Sequence, residues 1–193
     1  MNISLKITSA VAASLFSLSG FALTGDEIKA EKNNIDAQYK SAMAQCKTQN
    51  GNAKDVCEKQ AKGNEKVARA ELEARADPSE SRQYKARLAR ADADYDVAKE
   101  RCDDQSGNAK DVCKKDAQAA HVKAKEAAKV MRAEADPAGA TPQRRAANVS
   151  EVRKEAAEET RDAQYKAAKE RCDALSGAAK DTCVNDAKTR FAQ

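Results

Sequence analysis

The chain has 193 residues, with 35 Lys or Arg against 31 Asp or Glu, a net charge of +4 and six cysteines. Opposite charges are interleaved, and like-charged runs do not exceed pairs such as Lys114-Lys115 and Arg144-Arg145, which excludes a basic nucleic-acid arm. Leu, Ile, Val and Phe supply about a tenth of the chain after residue 22, under the roughly 20% below which sequences tend to disorder, so one large apolar core is excluded too.

Residues 1–22 read as a secretory signal peptide. Lys6 gives a short cationic start, residues 7–21 are uncharged and mostly apolar or small, and Gly20-Phe21-Ala22 sets small residues before a cut after Ala22. A membrane anchor needs about 20 predominantly apolar residues, and this run is shorter and broken by Ser9, Ser14, Ser17 and Ser19. Export through a cleaved leader is therefore expected, with no membrane helix in the mature chain.

After the leader one pattern is written three times. Asp36, Tyr39, Ala42, Cys46, Gly51, Asp55 and Cys57 return as Asp92, Tyr95, Ala98, Cys102, Gly107, Asp111 and Cys113. They return again as Asp162, Tyr165, Ala168, Cys172, Gly177, Asp181 and Cys183. Repetition at this scale means one supersecondary unit used repeatedly. The expected divisions are 23–77, 78–136 and 137–193, each a helical hairpin.

The predicted helices, in order, are 25–49, 53–76, 79–105, 109–135, 142–175 and 179–191. Ala, Lys, Glu, Arg and Gln dominate them, and these are strong helix formers. Asp55–Lys59, Glu65–Arg69, Glu71–Arg75 and Asp111–Lys115 have the favourable i,i+4 order. Asp77-Pro78-Ser79-Glu80 carries helix-start signals, and Asp136-Pro137, Gly139 and Thr141-Pro142 stop one helix and start another. These Asp-Pro junctions are the expected hinges.

Six cysteines in an exported chain imply a disulfide framework. A unit copied three times most simply carries its own bond, which gives Cys46–Cys57, Cys102–Cys113 and Cys172–Cys183. On one unbroken helix, eleven residues would separate the Cα atoms by about 16 Å, far beyond disulfide reach. The chain must therefore turn back within each pair. Gly51, Gly107 and Gly177 are placed to end the first helix in a left-handed conformation, and Asn52 and Asn108 to cap the second. The third copy has Ala178 instead.

A stripe of alternating four- and three-residue spacing runs through Tyr84, Leu88, Ala91, Tyr95, Ala98 and Cys102. It continues after the turn through Cys113, Ala117, Ala120, Ala124, Ala127 and Met131. Each hairpin is thus expected to close along an alanine-rich seam whose small residues let the helix axes approach. The fold class that follows is all-α, with three disulfide-stapled antiparallel hairpins, extended or loosely packed.

No catalytic, cofactor-binding or metal-ligating residues emerge. His121 is the only histidine and reads as a solvated helix residue, since a zinc site needs four ligands gathered together. The cysteines lack C-x-x-C spacing and read as structural. Tyr39, Tyr95 and Tyr165 read as seam packing.

The leader, the Ala/Lys/Glu/Arg-rich helices and the repeated Tyr39, Ala42, Cys46, Gly51, Asp55, Cys57 pattern resemble uncharacterised exported proteins of Gram-negative bacteria, often labelled TolA-like or cell-envelope biogenesis proteins. The resemblance implies a periplasmic location and a non-enzymatic envelope scaffold or spacer, and it carries over no functional residues. Its partner would be an unknown envelope protein or a second copy of itself. A chaperone holding unfolded clients and a thiol- or metal-buffering protein are the alternatives.

Overall fold

The computed structural model describes residues 23–135 and 141–192. They form α1 (Gly25–Cys46), α2 (Gly51–Ala76), α3 (Glu80–Arg101), α4 (Gly107–Ala135), α5 (Pro142–Cys172) and α6 (Gly177–Phe191). A short 3-10 turn, Cys102–Asp104, follows α3, and no strand occurs among the described residues. The expected leader and the Asp136-Pro137-Gly139 junction lie outside them.

Local chemistry sets the boundaries. At the start of α1, the Thr24 hydroxyl accepts from the Glu27 N–H at 3.3 Å, and the Thr24 N–H donates to the Glu27 carboxylate at 2.8 Å. This reciprocal pair satisfies two amides that the first helical turn leaves unpaired. The backbone N–H of Thr24 and its hydroxyl together lower the Glu27 carboxyl below its ordinary value. Thr141 likewise caps α5, with Pro142 at its first position.

The cysteine turns are tighter than the sequence predicts. The first helices end at Cys46, Arg101 and Cys172, three or four residues early, because the following amides take short-range bonds. Thr48 N–H donates to Gln45 O at 3.1 Å, and Gln49 N–H to Cys46 O at 3.0 Å. Gly51, Gly107 and Gly177 do adopt positive φ, of 56°, 56° and 55°. They open the second helix, however, instead of ending the first, so Asn52 and Asn108 fall inside α2 and α4 and cap neither. Three disulfides close the turns, Cys46–Cys57, Cys102–Cys113 and Cys172–Cys183, with Cα separations of 5.4, 5.6 and 5.7 Å. Each closes a short loop, worth about 2–3 kcal/mol through restriction of the unfolded chain.

Each helix packs on its neighbours in sequence, making an antiparallel array from α1 to α6. The seam within each hairpin is only half of this packing. On α3, Ala91 lies on the expected seam, but Ala86, Ala93 and Val97 are buried off it. On α4, Ala117 lies on the seam, whereas Ala119, Glu126 and Ala133 do not. These second faces join one hairpin to the next. Ala93 of α3 packs on Gly63 of α2, where the missing side chain allows close approach.

Ion pairs follow the same logic. Of the four expected i,i+4 pairs, Glu65–Arg69 forms at 3.0 Å. Lys59 turns instead to Glu100 of α3, Glu71 pairs with Arg90 of α3, and Arg75 pairs with Glu31 of α1. The Asp77-Pro78 junction is not a free hinge. Arg82 of α3 bridges Asp77 at 2.9 Å and Glu73 at 2.8 Å, and α2 and α3 pack along their lengths on either side of it. Asp77 ends α2, and its carboxyl is held below its ordinary value chiefly by the Arg82 guanidinium.

Candidate functional site

All six cysteines are committed to disulfides, leaving no free thiol. No group of three His, Cys, Asp or Glu residues is placed to hold a metal among the described residues. The features repeated in space, beyond the seams, are an edge and a row of tyrosines.

The edge holds all three cysteine turns. Because α2 runs antiparallel to α3 along its length, the start of α2 lies beside the end of α3. Asn52 Nδ2 donates to the Glu100 carbonyl at 3.1 Å. The next turn repeats this contact, with Asn108 Nδ2 donating to the Glu170 carbonyl of α5 at 3.1 Å. A side chain expected to cap its own helix therefore gives a second bond to an end carbonyl of the neighbouring one, which already accepts from a backbone N–H at its own cap. In the third copy α6 packs on α5, and position 178 is alanine, which has no side-chain donor to give such a bond.

Charge differs between the turns. Asp103, directly after Cys102, pairs with Lys110 at 2.9 Å and Lys114 at 3.0 Å, and these hydrogen-bonded ammonium groups hold its carboxyl at about 2. Asp173, directly after Cys172, pairs with Lys180 at 2.8 Å, and its carboxyl is lowered by the same kind of contact. The first turn has Lys47 at this position, with Lys54 and Glu58 where the second has Lys110 and Lys114, and Glu58 pairs with Lys62 at 3.6 Å and not with Lys47.

Tyr39 lies beside Ala42 and Ala61 between α1 and α2, and Tyr95 has a partner the sequence did not suggest. His121 of α4 stacks on it with ring centroids 4.5 Å apart and planes 11° apart, and His121 Nε2 lies 2.6 Å from the Asp92 carboxylate. Only 17% of the His121 side chain is exposed, so it is a packed link between α3 and α4, not the solvated residue expected. The equivalent positions are Glu65 and Phe191, and this variation is why the repeat conceals the role.

Two of the shallow grooves over the array cross α5 and α3. One, of about 530 Å³, crosses α5 near the third disulfide, with Ala167 and Ala168 on its floor and Asp116, Arg171 and Arg190 at its sides. Arg171 is bound to Asp116 at 2.5 Å, and Arg190 lies over the Phe191 ring at 5.4 Å. The other, of about 350 Å³, crosses α3 between Glu71 and Met131. Neither gathers a nucleophile, base and oxyanion donor of the kind acyl or phosphoryl transfer uses.

No protein-family model, curated protein or solved structure matches this chain. Three disulfides place the chain in an oxidising environment. No helix among the described residues is long and apolar enough to cross a membrane.

Proposed function

We propose that this chain is a non-enzymatic scaffold or spacer of the bacterial cell envelope, working in the periplasm after removal of the leader at residues 1–22. The observation that carries this reading is the array itself: six helices stitched edge to edge by disulfides, amide caps and charged pairs, with a polar exterior. Such an array spans distance with little core and presents wide faces, as helical repeat proteins do.

A chaperone holding unfolded clients would offer a contiguous apolar patch. Among the described residues the large exposed apolar side chains are Met131 and Leu175, at opposite edges of the array. Thiol buffering would need free thiols, and all six cysteines are paired.

Two measurements test the reading. Small-angle scattering of the mature protein is expected to give a radius of gyration above the roughly 15–16 Å of a compact domain this long. Light scattering of a heat-denatured client protein is expected to be unchanged by an equimolar amount of this chain. Suppression of client aggregation would replace the scaffold with a holdase.

A further inference from the structure

The three turns look equivalent in sequence, yet they are held differently. The second is closed by a disulfide and by Asp103 against Lys110 and Lys114, and the third by a disulfide and Asp173 against Lys180. The first has its disulfide and, at the matching positions, Lys47, Lys54 and Glu58, and the Glu58 carboxylate pairs with Lys62 of its own helix and not with Lys47. Cys57 lies at the end of the second turn of α2, and Asn52, on the first turn of that helix, is the residue that caps α3. The bond that fixes the start of α2 therefore also fixes the side-chain donor that bonds the end of the neighbouring hairpin's first helix.

We propose that Cys46–Cys57 is a redox control point of the array, whose reduction frees the first turn and, through Asn52, loosens the end of α3 in the second hairpin. The coupling is a property of the array and does not depend on the spacer role.

The chemistry is ordinary dithiol exchange. Cys46 is fully buried and Cys57 is half-buried, so Cys57 Sγ is the accessible sulfur. One thiolate of a dithiol attacks Cys57 Sγ, the cystine bond breaks, and Cys46 leaves as a thiolate that takes up a proton. The dithiol's second sulfur then attacks the mixed disulfide and releases Cys57, which also takes up a proton. Two electrons and two protons pass from the dithiol, which ends as a disulfide, to the cystine. In the second and third turns the carboxylate clamp still holds the backbone at the mixed-disulfide stage, so the freed cysteine thiolate stays close, attacks the mixed disulfide and re-forms the cystine while the dithiol leaves as a thiolate. In the first turn nothing of that kind opposes separation.

Limiting dithiothreitol, followed by alkylation and peptide mapping of the mature protein, is expected to open Cys46–Cys57 ahead of the other two bonds. Simultaneous opening of all three, or earlier opening of another, overturns the assignment of the control point. Hydrogen exchange followed by mass spectrometry tests the coupling. In the paired Cys46→Ser and Cys57→Ser variant, residues 97–106 are expected to exchange about five-fold faster, the scale of one lost intramolecular hydrogen bond. Asn52→Asp with all disulfides intact is expected to give the same acceleration at 97–106. That variant removes the donor while placing an acid in the first turn of α2, which favours the helix, so α2 itself stays protected. Exchange at 97–106 unchanged in either variant, while the first turn loosens in the serine pair, overturns the coupling.

Discussion

Gly63 and Ala93 meet across the interface of α2 and α3 so closely that a Cβ built on Gly63 would lie 2.8 Å from the Ala93 Cβ. The contact explains a glycine in the middle of a 26-residue helix, where the residue ordinarily costs about 1 kcal/mol relative to alanine. The counterpart on α4 is Ala119, which is buried against α5. The same repeat position is therefore filled by glycine at one inter-hairpin joint and by alanine at the next.

Gly63→Ala is expected to destabilise the protein, although it improves helix propensity. Overpacking a closed interface costs about 1–3 kcal/mol, against the roughly 1 kcal/mol gained from removing a helical glycine. Chemical denaturation should show a net loss of about 1 kcal/mol, and a gain would mean that α2 and α3 separate without cost.

Leu72 of α2 is the largest side chain that is fully enclosed, at 1% exposure. In an array so rich in alanine, few side chains of this size are available to fill the gap it would leave. Leu72→Ala is expected to cost about 3 kcal/mol, the middle of the range for buried leucine truncation. The same substitution at Leu175, 43% exposed, is expected to stay within about 0.5 kcal/mol.

Acid should loosen the second turn through Asp103. Its carboxyl titrates at about 2 in the folded chain, because Lys110 and Lys114 hydrogen-bond its charged form, against an ordinary value of 3.8. The folded chain thus binds this proton less readily than the unfolded one. The contribution is complete above pH about 4 and is lost as the pH falls towards 2. Carbon-detected NMR titration should place the Asp103 midpoint well under that of an unpaired aspartate, and Asp103→Asn should flatten the stability change over that interval. A midpoint near 4 would remove the clamp from the account.

Lys47→Asp should give the first turn the clamp the other two possess. The new carboxylate would face Lys54 as Asp103 faces Lys110 and Asp173 faces Lys180. Thermal melts at low ionic strength are expected to rise. The gain should shrink in about 1 M salt, where the screening length falls to about 3 Å. An equal gain in high salt would point to helix propensity instead of the ion pair.

Much of the fold was legible in the sequence because its causes are local. Six helices follow from residues that favour helix wherever they stand, and the turns follow from glycines that tolerate positive φ. The cysteine pairing follows from repetition and from the reach of a disulfide. The Thr24 and Glu27 cap was also present as a signal three residues apart, although it was not among the expected features.

What tertiary structure alone decided is which alanines are inside. Alanine forms helix equally well on a buried or a solvated face, so the stripe through Ala86, Ala93 and Val97 carries no mark distinguishing it from exposed surface until α2 lies against it. The same is true of partners. Lys59, Glu71 and Arg75 have acceptable mates on their own helix, and only the neighbouring helix sends them across. Asn52 suits a cap by residue type, but which carbonyl it satisfies depends on the end of α3 arriving beside it. Helix propensity and turn chemistry act within a few residues, whereas these assignments are set by chain segments dozens of residues apart.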